Sequence, residues 1–170
     1  MSTLITTTAQ IGTIKDAGGN ATAMTINSSG KTHIAGSVIN TFQFTASEQT
    51  ISSDTVIING TFTPSFDNSK FYVSLVIPNI TGSGGQRLNT HIYLGTDATY
   101  SNNTQVAKGM QRLMGTGADD VTSLSLIDFG SYTNPNTNAH RAQVVCFHST
   151  NTVIARHSTT VKLVVQEIAQ

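Results

Sequence analysis

Four consecutive residues, Ser29, Gly30, Lys31 and Thr32, spell the end of a phosphate-binding loop. That loop, G-x-x-x-x-G-K-[ST], needs glycine at both marked positions so that backbone N–H groups can wrap the phosphates ahead of a helix. Counting back five from Gly30 gives Thr25, a β-branched residue where the first glycine should stand. The residues that follow, Thr32, His33, Ile34, Val38 and Ile39, favour extended chain, and Gly36 interrupts any helix. The stretch predicts a β-hairpin and no nucleotide site.

Other reactive side chains are sparse. The five histidines are His33, His91, His140, His148 and His157, and Cys146 is the one cysteine. His140 and His148 share strand parity, yet eight extended residues hold them about 26 Å apart, too far to share a metal. A two-residue turn at Asn151-Thr152 would set Cys146 opposite His157; with no third group in view, the pair reads as a small buried thiol beside a surface histidine. Asp119 and Asp120, in a loop, could meet a calcium ion that Asp97 and Asp128 would join, but calcium wants six to eight oxygens and the acids read as solvated carboxylates. There is no G-x-S-x-G elbow, no H-E-x-x-H and no CxxC. The expectation is a protein that is not an enzyme, with no catalytic residue, no cofactor and no metal. Tyr93, Tyr100 and Tyr132, with Arg87, Arg141 and the 81–86 and 131–139 loops, could form a glycan contact in which ring faces stack on pyranose rings, although ordinary edge residues are the plainer reading.

Composition narrows the partners. Only 11% of the 170 residues are charged and the formal net charge is zero, so no basic stretch exists to neutralise phosphates. Nucleic acid is therefore not an expected partner. Roughly a third of the chain is Thr, Ser or Asn, but 38% is hydrophobic, enough to build a core and to argue against disorder. No run reaches the eighteen or so apolar residues of a membrane span, and the start of the chain lacks a signal-peptide pattern, so synthesis in a cytoplasm without a secretion signal is expected.

These residues must be positioned by strands. The apolar pattern has period two almost everywhere: Phe71, Val73, Leu75 and Ile77 alternate with Tyr72, Ser74 and Val76. Comparable runs fall at 37–46, 54–63, 87–95, 104–115, 121–130, 140–148 and 159–169, giving eight strands in all, separated by turn-forming clusters such as TGSGGQ and SYTNPNTN. Within the fifth of these, Val106, Met110, Leu113 and Met114 could alternatively line a short helix. Eight strands with loops of varied length predict an all-β, eight-stranded, jelly-roll-like antiparallel sandwich over residues 37–170.

Residues 1–36 read differently, as short β-pieces with too few large side chains for a core of their own. They predict an N-terminal β-arm that docks on another protein, with Leu4, Ile5, Ile11, Ile14, Met24 and Ile26 as its contact residues. Several strands of the head are apolar on both faces, which requires a cover on the outer side. Val145, Phe147, Val164 and Ile168 are accordingly the expected subunit interface of a homo-oligomer.

Residues 11–32, IGTIKDAGGNATAMTINSSGKT, resemble the short β-hairpin modules near the start of bacteriophage structural proteins, particularly tail-fibre-like proteins of marine phages. The closing VKLVVQEIA, residues 161–169, is similar to the last strand of their trimeric knob domains. The two matches cover about a fifth of the chain. The resemblance implies a virion surface protein, made in the host bacterial cytoplasm, that trimerises through a jelly-roll head and docks through its leading residues on the major capsid protein or on tail proteins. The chain departs from fibres in having no shaft between arm and head. That favours a capsid decoration or cement protein over a short tail-fibre or head-fibre knob that binds host surface glycan.

Overall fold

The computed structural model describes residues 13–15, 22–26, 32–82, 87–112, 122–147, 152–155 and 158–170. In chain order the strands are β1 (Thr13–Lys15), β2 (Thr22–Ile26), β3 (Thr32–His33), β4 (Val38–Ala46), β5 (Gln49–Ile51), β6 (Thr55–Phe62) and β7 (Lys70–Gly82). They continue as β8 (Arg87–Gly95), β9 (Thr104–Arg112), β10 (Thr122–Thr133), β11 (His140–Phe147), β12 (Thr152–Ile154) and β13 (Val161–Ile168). The eight strands expected from the period-two runs are β4, β6 to β11 and β13. One turn of 3-10 helix, Tyr100–Asn102, is the helical structure among the described residues.

The long strands form two antiparallel sheets, ordered β4-β13-β7-β10 and β6-β11-β8-β9. This interleaving, in which the first strand lies beside the last and the second beside the next-to-last, is the order of a jelly roll. The short β12 and β5 extend the first sheet at the far end of β7, where Thr152 and Val153 pair with Gly82 and Thr81. The segment with ambiguous helical spacing is the strand β9, because its residues complete a ladder with β8 running from Arg87↔Arg112 to Leu94↔Thr104. Tertiary pairing decides where local spacing leaves two choices.

Alternation puts Phe71, Val73, Leu75 and Ile77 of β7 against Leu88, Ile92 and Leu94 of β8 and Val144 of β11 in one fully buried core. Each such side chain contributes about 1.5–3 kcal/mol relative to exposure. The two open edges of the sandwich are closed by the same device. A Cβ on Gly60 of β6 would fall inside the Phe44 ring of β4, and a Cβ on Gly109 of β9 would meet the Leu126 side chain of β10. At each edge a glycine on one sheet lets a large side chain of the other come in.

One end of the sandwich holds a buried polar knot. The Glu167 carboxylate accepts hydrogen bonds from the Ser65 and Phe66 backbone N–H groups and from the Ser69 hydroxyl, which fixes the β6–β7 connection against the last strand. Alongside it His140 donates Nδ1–H to the Asn138 carbonyl at 2.7 Å and packs its ring near Phe62 and Tyr132.

Strands β1, β2 and β3 make a separate antiparallel sheet, with Ile14 paired to Met24. Ile26 lies in β2, whereas Leu4, Ile5 and Ile11 lie outside the described residues. Thr32 opens the strand β3, so the Ser-Gly-Lys-Thr sequence leads into extended chain, where a phosphate loop would need a helix. The turn after it, residues 34–37, holds Gly36 at φ +78°, the left-handed region, and its N–H donates to the Ala169 carbonyl. The start of the head is thereby tied to its last strand.

Candidate functional site

On the outer face of the β6-β11-β8-β9 sheet, cross-strand partners stack in pairs. Arg87, Asn89, His91 and Tyr93 of β8 point away from the core, since Leu88, Thr90, Ile92 and Leu94 between them are buried. Opposite them on β9 stand Arg112, Met110, Lys108 and Gln105. On the other side, β11 sets Val145 against His91 and Phe147 against Asn89.

The 96–103 connection between β8 and β9 folds back over this face and is pinned by two amides, the buried Gln143 and the half-buried Asn103. Asn103 Nδ2 donates to the Asp97 carbonyl and to Gln143 Oε1, while Asn103 Oδ1 accepts from the Asp97 N–H. Gln143 Nε2 in turn donates to the Ala98 carbonyl at 2.8 Å. Asn103 comes so close to β8 that a side chain on Gly95 would collide with it, which is why glycine ends that strand. The clamp carries Tyr100 over the sheet. Its ring lies 5.3 Å from Tyr93 and 6.1 Å from Phe147, and His91 lies 4.8 Å from Phe147. Four aromatic rings from three segments thus form one half-buried cluster, with His91 Nδ1 and the Tyr93 hydroxyl 3.2 Å apart. Tilted and edge-to-face contacts of this kind match the ring quadrupoles.

Beside the cluster, Asn89, His91, Gln105, Lys108, Gly109 and Met110 line an open concavity of ≈ 470 Å³. Burial holds the His91 pKa below its ordinary value, and the Lys108 ammonium pushes it the same way. The Tyr93 hydroxyl is shifted up, by burial first and then by Tyr100 and Asp54. The four strands of this sheet carry Arg87, Lys108, Arg112 and Arg141 and not one Asp or Glu. The strand charges of this face are cationic, and the carboxylates near them come from the flanking Asp54 and the loop residue Asp97.

The structure brings together Tyr93 and Tyr100 of the three tyrosines singled out from the sequence, and separates Tyr132 from them. Tyr132 is 7% exposed, its ring near Phe71 and His140 and its hydroxyl pushed up to about 12 by burial, so it is a core residue and no surface contact. Its inward direction follows from alternation along β10, since it shares the parity of the buried Leu124, opposite to the exposed Ile127 and Phe129. Val145 likewise corrects the expected subunit interface. It is fully buried within the chain, on the outer face of β11 between Gln143 and Phe147, where the 96–103 loop and the aromatic cluster lie over the sheet. Phe147 belongs to that cluster. His91 was the member that sequence reasoning missed; its parity with Tyr93 on one strand was the available signal.

The thiol of Cys146 is buried against Thr90 Oγ1 at 3.7 Å and pushed up to about 11, a poor state for a nucleophile. Its strand partners are Thr55 and Thr90, and β12 pairs with β5 and β7 of the other sheet. His157, His148, Asp119 and Asp120 lie outside the described residues. The Asp97 carboxylate accepts from the Thr99 N–H and Asn102 Nδ2, which hold its pKa down. The Asp128 carboxylate accepts from the Ser131 N–H and hydroxyl in the other sheet, so these two acids serve separate turns. Among the described residues, no group of three His, Cys, Asp or Glu could hold a metal ion, and no helix is long and apolar enough to cross a membrane.

The outer face of the β4-β13-β7-β10 sheet is of another kind. Phe129 and Ile127 of β10 are 75% and 65% exposed and sit opposite Tyr72 and Ser74 of β7, with the Phe129 and Tyr72 rings 5.7 Å apart. Val76 continues the row, and Val164 and Ile168 of β13 lie half-buried on the same side.

No protein-family model matches the chain, and no curated protein matches it. Similar solved structures include an Eiger TNF from S. frugiperda, at 7% identity and a TM-score of 0.47, covering 76% of this chain and 94% of that one. The infectious bursal disease virus Gt strain structure is similar at 14% identity and a TM-score of 0.43, covering 88% of this chain and 47% of that one. A carbohydrate-binding module of the β-sandwich superfamily follows at 10% identity and a TM-score of 0.30, covering 79% and 58%. At TM-scores below 0.5 these likenesses carry no functional information.

Proposed function

We propose that this chain is a non-enzymatic structural protein of a bacteriophage virion surface, a capsid decoration (cement) protein whose jelly-roll head forms a homotrimer. In this reading residues 1–36 dock on the major capsid protein by strand addition, where backbone N–H and C=O groups supply the affinity. Residues 37–170 associate with copies of themselves. The observation that carries self-association is the row Val76, Ile127 and Phe129, exposed together on one sheet face, whereas most large apolar residues of the described head are buried. The phage assignment rests on the resemblance of residues 11–32 and 161–169. The non-enzymatic part of the reading is consistent with a buried, high-pKa Cys146 thiol and with Asp97 and Asp128 each engaged in its own turn.

A second reading, the knob of a short tail or head fibre, is favoured by the meeting of Tyr93 and Tyr100 on an outer face, where they could touch host glycan. Copy number per particle separates the two: hundreds of copies support decoration, a dozen support a tail position. Truncation to residues 37–170 is expected to leave a folded, oligomeric head that no longer binds particles. Normal occupancy of the truncated head on virions would overturn the docking role of the arm.

A further inference from the structure

We infer that the outer face of the β6-β11-β8-β9 sheet binds an acidic glycan, seated in the concavity between β8 and β9 with its carboxylates toward Lys108 and the Arg87–Arg112 pair. This deepens the fibre-knob reading by naming the ligand class, and it rests on that reading's premise that the protein touches glycan.

Three independent features converge on the site. The first is charge: four cations and no carboxylate on the strands of one sheet, against two cations and two carboxylates on the long strands of the other. Arg87 and Arg112 face each other across the ladder, and His91 and Lys108 do the same four residues on, about 13 Å away. An extended chain of acidic sugar rings would meet both pairs. The second is hydrogen-bonding chemistry. The Asn89 and Gln105 amides in the concavity can both donate to and accept from sugar hydroxyls, an ability that Lys and Arg lack. The third is an aromatic surface next to the concavity: Tyr93 lies against the lining residue His91 and carries Tyr100 on its far side, both held by the Gln143–Asn103 clamp rather than by a ligand.

The same features argue for a glycan over a nucleic acid. The aromatic rings lean against one another at 49–77° in the Tyr93–Tyr100–Phe147 chain, half-buried, and offer no row of open ring faces on which successive bases could stack. Of the four cations Lys108 alone lines the concavity, and the Arg87–Arg112 pair stands farther along the same ladder, so the charges are too few for a continuous phosphate track.

The test is binding of the full-length protein to an array of uronate- or sialate-bearing and neutral saccharides, with single-stranded DNA as a parallel probe. Binding confined to the acidic saccharides is expected. It should weaken severalfold between 50 mM and 500 mM salt, and fall about tenfold or more in Lys108→Gln and in Tyr100→Ala, but persist in the control Glu48→Gln, an exposed residue of the β4–β5 turn. Lys108 is exposed, so its variant keeps the fold, and thermal unfolding of each variant checks this. Binding to neutral saccharides alone overturns the acidic class and leaves the glycan-contact reading standing. Absence of binding to every saccharide overturns both. Acidic binding that survives Lys108→Gln and Tyr100→Ala places the ligand on another face and overturns the site. DNA binding tighter than any saccharide makes the cationic strip a nucleic-acid surface and overturns the inference.

Discussion

The two outer faces of this sandwich begin from similar strands and end in opposite states. Both sheets carry apolar or aromatic residues on the side away from the core: Val145 and Phe147 on β11, Phe129 and Ile127 on β10. On the β6-β11-β8-β9 face the chain supplies its own cover. The 96–103 loop returns over the sheet, Gln143 and Asn103 fasten it, and Val145 becomes as buried as any core residue. On the β4-β13-β7-β10 face no described segment does this, and Phe129 stays 75% exposed. A greasy strand face therefore does not by itself mark an interface. What marks it is the absence of a cover, with charges sparse around it.

The largest effect is expected for Phe129→Glu, which puts a carboxylate in the middle of the exposed row and should weaken self-association about 100-fold or more, some 3 kcal/mol, in sedimentation equilibrium. Lys108→Glu on the opposite face should leave the association state unchanged. The reverse pattern would exchange the roles of the two faces. Next in size is Gly60→Ala at the closed edge between them. The added methyl collides with the Phe44 ring, and overpacking of this kind costs about 1–3 kcal/mol in denaturant unfolding. Wild-type stability in this variant would mean that the edge is open and the two faces less separate than the fold implies.

Gln143→Ala tests the cover itself. It removes hydrogen bonds to Ala98 and Asn103 and should cost about 1–2 kcal/mol, with faster amide exchange confined to residues 96–103 and their neighbours on β11. Unchanged exchange there would show that the aromatic rings alone hold the loop. The smallest effect concerns His91, whose folded pKa is lowered by burial and by Lys108. The folded state binds fewer protons at this site than the unfolded state, so its contribution to stability is fully present above the ordinary value of 6.5 and is lost as pH falls below it toward the lowered folded value. A histidine titration by NMR should show the midpoint below 6.5, moving up in Lys108→Gln. A midpoint above 6.5 would refute the burial account.

Much of the head was legible because period two is a strong signal where one face is buried. The runs at 54–63, 87–95 and 140–148 became β6, β8 and β11 with boundaries within a few residues. The β9 segment was less legible, since Val106, Met110 and Leu113 fit two periods and only the ladder to β8 selects one. Of the candidate site, Tyr93 and Tyr100 could be named as aromatic surface residues, but not as neighbours. Their contact depends on Asn103 and Gln143, 40 positions apart in sequence. Tyr132 was misplaced because the sequence assigned 131–139 to a loop, whereas β10 runs on to Thr133 and keeps Tyr132 on the parity that buries Leu124.

The residue order alone determined that this protein is built of antiparallel strands, how many long ones there are and which side chains share a face, because those properties are set by backbone geometry and by local alternation. It could not determine what lies over each face. That depends on where the 96–103 connection travels after β8 and on which glycines let Phe44 and Leu126 close the edges, and these are contacts between segments far apart in the chain. Covering a face removes apolar surface from water and leaving it bare does not, so the fate of the two faces was decided by the tertiary path.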